Sequence, residues 1–321
     1  MQSTVKEVAA RFGINATVVA PAGSTGLSGA SVWKITGDQG RHFSVKRFTN
    51  LSADHLAWIH RVQLHTIVCD CDFVARPLRT DDGMSLIQAN DGLWEVCTWM
   101  LGEANNESPI SDQRLSLAMK SIAKFHQSAA QVNFDFRPSP GVKVRLEQLA
   151  KLNTTIAAVQ PKPNQYPTLA NLLTQLKQIS PARLHDYATA LGHFENYTLP
   201  LQPVIRDLRS EHLLFTEDSL TGLIDFDAMQ METIALDLTR CLGDFDPGDT
   251  DRWQFALEAY NSVRPIQRAE LELIKILDPI NVMLSAMNWI KWIALDDRNF
   301  ENEGAVEVRL KQINQRLAKI L

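Results

Sequence analysis

The chain changes its hydrophobic period near Gly102, and that change limits what it can fold into. Before it, short apolar runs alternate with turn residues, as in half-buried strands. Strands are predicted over 16–22, 30–36 and His42–Phe48. Two more, over 73–80 and 84–89, are expected to pair across the turn Asp81-Asp82-Gly83, and another covers 93–100. Two helices accompany them. Thr4 and Glu7 have capping-box spacing ahead of the apolar face Val5, Val8, Ala9 and Phe12, and Gly13 ends that helix. Ser52 caps the second, which runs to about Val68. After Gly102 apolar residues recur at helical spacing, predicting helices over 115–130, 142–159, 168–179, 181–196, 234–242, 252–262, 269–295 and 306–321. The expected class is α+β, with a β-rich lobe over 1–100 and a larger, mainly helical lobe over 101–321. Two layers of this kind meet at a cleft, where ligands prefer to bind.

One stretch breaks the helical pattern. Residues 204–226 read VIRDLRSEHLLFTEDSLTGLIDF, with apolar runs bracketing a charged loop and returning after a turn. This predicts a short hairpin carrying Asp207 and Asp225 at strand ends. Carboxylates held there suit a metal–phosphate site, one orienting or deprotonating a nucleophile while another holds a divalent cation. Upstream, Gly23, Gly26 and Gly29 punctuate the turn between the first two strands. Such glycines let the backbone approach a phosphate, although an ordinary hairpin loop has the same composition. Lys46 lies on the third strand, sharing a face with Ser44 and opposing Val45.

These parts, in this order, resemble the aminoglycoside phosphotransferase and choline kinase group of small-molecule kinases. The resemblance is carried by Ile205-Arg206-Asp207-Leu208-Arg209-Ser210-Glu211-His212 and by Ile224-Asp225-Phe226-Asp227, beside the family pattern H-[RG]-D-L-x-x-x-N and I-D-F-G. It implies a two-lobed protein-kinase-like fold, a small antiparallel sheet lobe plus a larger helical one. It also implies an ATP-dependent phosphotransferase that moves the γ-phosphate to a hydroxyl of an amino sugar, amino alcohol or similar small molecule. Within that family, Asp207 corresponds to the residue that orients the acceptor hydroxyl or takes its proton. Arg209 would balance charge on the transferring phosphoryl group, and Lys46 would hold the nucleotide phosphates under the turn of Gly26 and Gly29. Backbone groups of the hinge from Thr98 to Met100 would read adenine. Asp225 would bind Mg²⁺, with His212 at the second metal position and Asp237 supporting the catalytic loop. Mn²⁺ is the alternative cation, because imidazole suits later divalent metals better than Mg²⁺.

Three departures accompany the resemblance. Ile205 replaces the histidine of the pattern, and His212 replaces its asparagine. The helix after Lys46 has none of the glutamates that kinases pair with this lysine; its polar residues include Asp54, His55, His60, Gln63 and His65. A second reading therefore stays open, a weak or inactive relative that binds nucleotide or another small ligand. His212 either binds metal or braces the loop, and Asp227 either adds a carboxylate or caps the next segment. On the acceptor side, Asp244, Asp246, Asp249 and Asp251 either attract an aminated substrate or form a solvated loop. Trp289 and Trp292 either cage a cation or fill the core.

Composition narrows the partners. A hydrophobic share of 45%, a charged share of 21% and a net charge of −5 fit a globular protein without the basic surplus of a nucleic-acid binder. Lys6, Glu7 and Arg11 interrupt any apolar leader in the first turns, and Asp278, Pro279 and Lys291 break the greasiest tract, 276–295. Cys69 and Cys71 lack the second pair that a zinc site needs. The expectation is a cytoplasmic protein with reduced thiols, no membrane or nucleic-acid partner, and a small-molecule hydroxyl acceptor.

Overall fold

The computed structural model describes residues 2–22, 31–89, 92–105, 109–159, 166–245, 248–298, 300 and 302–320. Helix α1 (Gln2–Arg11) precedes strands β1 (Val18–Pro21), β2 (Ser31–Thr36) and β3 (His42–Phe48). Helix α2 (Ala53–Val68), strands β4 (Ile87–Ala89), β5 (Gly92–Thr98) and β6 (Glu103–Ala104), and helix α3 (Asp112–Ala129) follow. Strand β7 (Asp135–Arg137) leads into helices α4 (Pro140–Ala158), α5 (Pro167–Gln178) and α6 (Pro181–Gly192). Strands β8 (Leu199–Val204), β9 (Leu213–Thr216), β10 (Ser219–Leu223) and β11 (Gln230–Glu232) come next. The chain ends in α7 (Ile234–Phe245), α8 (Thr250–Asn261), α9 (Arg268–Ile290) and α10 (Glu303–Ile320). Two compact units result, one formed by 1–132 with 210–229 and the other by 133–209 with 230–321. The first unit thus runs past residue 100 and takes in the segment that leads to Asp225.

In the first unit, β1-β2-β3-β5-β4 form an antiparallel sheet. Alternation on β3 buries Phe43 and Val45 beneath the sheet and leaves Lys46 on the other face. Trp33, Ile35, Val45, Trp94 and Val96 pack with Val5, Val8, Ala9 and Phe12 of α1 into one core, where the rings of Trp33 and Trp94 stack at 5.6 Å. Each valine, isoleucine and phenylalanine among them contributes roughly 1.5–3 kcal/mol by leaving water. The Ser52 hydroxyl accepts from the His55 N–H at the start of α2, and Leu56 anchors that helix on Phe48 and Leu93.

Three expectations fail here. Helix α1 starts at Gln2, so Thr4 lies within the helix instead of capping it. The Asp81-Asp82-Gly83 turn forms, with the Thr80 N–H donating to Met84 O, but 73–80 is not a strand. Pro77 offers no N–H to a ladder and makes only an isolated bridge to Cys97, so β4 pairs with β5 instead. Finally, Asp207 and Asp225 do not share a hairpin. β9 and β10 pair with each other in the first unit, whereas β8 lies between β7 and β11 in the second.

The second unit is helical around that small sheet. Helix α9 is its axis, packing against α4, α5, α6, α7 and α10 through Leu273, Ile274, Leu277, Ile280, Met283 and Met287. Pro279 sits inside α9, and beyond Ile290 the predicted continuation widens into a π-helical turn, Lys291–Leu295. Serine side chains cap α4 and α6 by accepting backbone N–H bonds. Among the described residues no helix is long and apolar enough to cross a membrane.

Candidate functional site

In the first unit two carboxylates close on one ammonium. Lys46 Nζ lies 2.8 Å from Asp225 Oδ1 and 2.5 Å from Asp227 Oδ2, joining residues 179 apart in the chain. Burial would push the Lys46 ammonium down, but Asp227, Asp225 and Glu95 outweigh it and hold the group above its ordinary value. Burial pushes the Asp227 carboxyl up to about 7, against the pull of Lys46 and with the like charges of Asp225 and Glu95 adding to it. Asp225 follows β10 with φ +65°, a left-handed backbone that aspartate tolerates better than most residues. His212 Nε2 is 3.5 Å from Asp225 Oδ2, while its buried Nδ1 has no hydrogen-bond partner among the described residues.

Carboxylate oxygens are the hard donors that Mg²⁺ prefers, and such sites use one or two of them with phosphate and water completing the shell. Asp225 and Asp227 fit that donor set. Among the described residues no three His, Cys, Asp or Glu side chains come together to hold a metal unaided. Of the alternatives open for Asp227, the contact with Lys46 favours a second carboxylate at this site.

The expected hinge is tied into the same unit. The Thr98 N–H donates to Arg76 O at 2.9 Å, and the Trp99 N–H donates to His42 O at 3.2 Å. Thr221 Oγ1 donates to Leu101 O at 2.7 Å. Gly222 lies so close that an added Cβ would come within 2.8 Å of Met100 Cβ. Gly26 and Gly29 lie outside the described residues.

Asp207 and Arg209 belong to the second unit. Fully buried Asp237, in the first turn of α7, grips the loop before Asp207. Its Oδ2 accepts the Ile205 N–H at 2.7 Å and its Oδ1 the Arg206 N–H at 2.5 Å. Arg206 then takes φ +67°, a costly conformation outside glycine, asparagine and aspartate. Ile205, where the pattern has histidine, is fully buried among apolar neighbours. Arg240, one turn along α7 from Asp237, places Nε and Nη2 each 3.0 Å from Asp207 Oδ1. Burial, with the like charges of Arg206 and Arg240, pulls Arg145 down to about 10, against the pull of Glu232. Burial likewise lowers Arg309, where Asp244 opposes the shift while Arg209 and Arg240 add to it.

Of the other acceptor-side candidates, Asp246 lies outside the described residues, and Asp244, Asp249, Trp289 and Trp292 make structural contacts. Asp249 caps α8 by accepting the Arg252 N–H, and Asp244 pairs with Arg309 at 3.0 Å. Trp289 is buried, and the Arg298 guanidinium already covers the Trp292 ring at 5.1 Å. Sequence reasoning missed Arg240 and Glu95, because neither stands in a motif. A helical residue three beyond the motif-like Asp237 could have been flagged by spacing alone.

A family model described as the phosphotransferase enzyme family matches residues 23–273. The chain belongs to this family. It is 29% identical over 190 residues to a homoserine kinase of Methylocella silvestris, covering 57% of this chain and 52% of that protein. It is 34% identical over 97 residues to a homoserine kinase of Methylobacterium radiotolerans, covering 29% and 30%. The matches thus span about half, or less, of these curated relatives. Among solved structures, spectinomycin phosphotransferase APH(9)-Ia with ADP and spectinomycin superposes with a TM-score of 0.69 at 12% identity, over 99% of this chain and 98% of that one. Amicoumacin kinase hAmiN with AMP-PNP, Ca²⁺ and Ami gives 0.68 at 16% identity, over 98% and 93%. At such identities the likeness establishes the fold, the protein-kinase-like fold of this family with its small antiparallel sheet and mainly helical remainder.

Proposed function

We propose that the protein is an ATP-dependent phosphotransferase acting on a hydroxyl of a small molecule. The observation that carries this reading is the closure of Asp225 and Asp227 on Lys46, hard oxygen donors beside a fixed ammonium. Lys46 would bind the nucleotide phosphates, and Asp225 with Asp227 would hold Mg²⁺. The bound cation would neutralise charge on the phosphoryl group as it transfers. With the N–H groups of Thr98 and Trp99 committed to Arg76 and His42, the hinge N–H available to adenine would be that of Met100. Asp207 would orient the acceptor hydroxyl and receive its proton. Arg240 occupies Oδ1, so Oδ2 is the oxygen for that step. Arg209 would stabilise charge in the transition state. His212 serves in this reading as a neighbour of Asp225, its imidazole steadying the carboxylate.

The acceptor is the finer part of the proposal. Homoserine kinases among the relatives favour a hydroxy amino acid, and the antibiotic kinases among the structural neighbours favour an amino sugar or related compound. Arg240 at Asp207, with Arg206 and Arg209 flanking that residue in sequence, suits an acceptor that carries a carboxylate better than a polycation. The test is γ-phosphate transfer from ATP, with Mg²⁺ and with Mn²⁺, to a panel of hydroxy amino acids, amino alcohols and amino sugars. Cation-dependent phosphorylation of at least one acceptor is expected, with hydroxy amino acids preferred. Nucleotide binding without transfer to any compound would overturn the enzymatic reading.

A further inference from the structure

Lys46 has a third acidic neighbour that a nucleotide-bound cation would not claim. Glu95 on β5 is its direct cross-strand partner. In an antiparallel pair such residues leave the same face from Cα atoms about 4.5–5.5 Å apart. The charge of Glu95 also acts on Lys46. Glu95 is itself held: its Oε2 lies 2.6 Å from Nε2 of His60, a residue of α2 that is only 1% exposed. On the other side of that ring, Nδ1 lies 2.8 Å from Ser85 Oγ. If the Ser85 hydroxyl donates to Nδ1, Nε2 carries the hydrogen and donates to Glu95. Both imidazole nitrogens are therefore committed, and the ring works as a clamp.

Helix α2 thus supplies an imidazole where a carboxylate is missing, and the carboxylate comes from the neighbouring strand. Asp225 and Asp227 touch Lys46 through oxygens of the kind a metal would need. If both turned to a cation, Lys46 would keep the nucleotide phosphates and the charge of Glu95 as its partners, and only Glu95 belongs to the protein. Glu95 cannot follow them, because His60 holds it on β5.

We propose that Glu95, clamped by His60, is the permanent counter-charge that keeps Lys46 aimed at the nucleotide phosphates while Asp225 and Asp227 engage the metal. Glu95 and His60 are then positioning residues, not catalytic ones. The inference rests on the phosphotransferase reading and assigns a task within it.

The experiment measures Mg²⁺·ATP binding, ATP KM and unliganded melting temperature for wild type, Glu95→Gln, His60→Gln and the double variant. Glu95→Gln should weaken Mg²⁺·ATP binding and raise ATP KM by roughly tenfold, the factor that one lost unit of differential charge stabilisation gives. His60→Gln should give a smaller loss in the same parameters. The double variant should be no worse than Glu95→Gln alone, because His60 acts through Glu95. Glu95→Asp should recover part of the binding. A role confined to packing would lower melting temperature and leave ATP binding unchanged, and that result would overturn the proposal, as would fully additive losses. Wild type that fails to bind Mg²⁺·ATP would overturn the phosphotransferase reading itself. Wild-type binding with an unaffected Glu95→Gln variant would overturn only the task given to Glu95.

Discussion

Beside Asp225 two carboxylates close on one ammonium and a third acts on it through space, whereas Asp207 is one exposed carboxylate paired with a guanidinium. In the first unit, Asp225, Asp227 and Glu95 together overcome the burial of Lys46 and keep it charged. In the second, Arg240 binds Asp207 directly, and the charges of Arg206, Arg209 and Arg240 reach Arg145 and Arg309. Left-handed backbone marks both loops, at Asp225, where aspartate tolerates it, and at Arg206, where it is costly. The contrast teaches a division of labour. In the proposed reading a crowd of acids invites a cation, and an exposed carboxylate fixed by a guanidinium orients an acceptor hydroxyl.

The largest effect expected from breaking this contrast is at Asp207. Asp207→Asn should cut γ-phosphate transfer by about 10²–10⁴-fold while Mg²⁺·ATP binding stays at the wild-type level, measured by steady-state kinetics and calorimetry. Next comes the frame of the second loop. Asp237→Ala strands two backbone N–H groups, and unfolding in urea should show a loss of about 3 kcal/mol. Arg240→Gln should be milder, lowering kcat by roughly tenfold with ATP KM unchanged, because it frees Asp207 to rotate.

Much of this was legible in the chain. Phe43, Val45 and Lys46 fix by alternation which face of β3 is core, so the position of Lys46 followed from residue order. Asp225 followed from an apolar run ending in a carboxylate. Other parts were hidden because they depend on which strands pair. The runs before Asp207 and before Asp225 look alike in sequence, yet β8 is buried along its whole length between β7 and β11, and β10 turns back on β9. Glu95 became visible only through its register opposite Lys46. Arg240 emerged because α7 places it on the side of Asp207, and no motif announces that.

A smaller effect sharpens the electrostatic side of the contrast. The Asp227 carboxyl, at about 7, holds a proton in the folded protein that the unfolded chain releases near the ordinary value of 3.8. The stability this contributes is full below the ordinary value and is lost as pH rises through about 7. Without Mg²⁺, the melting temperature of Asp227→Asn relative to wild type should therefore rise by a few degrees between about pH 5 and about pH 8. A constant difference would mean that Asp227 is ionised throughout.

The assignment of cation and nucleotide to the first loop is tested most directly by titrating ATP, with and without Mg²⁺, into wild type, Asp225→Asn and Asp207→Asn. Wild type and Asp207→Asn should bind ATP more tightly when Mg²⁺ is present, and Asp225→Asn should lose that dependence. Mg²⁺-dependent binding that survives in Asp225→Asn and disappears in Asp207→Asn would contradict the account.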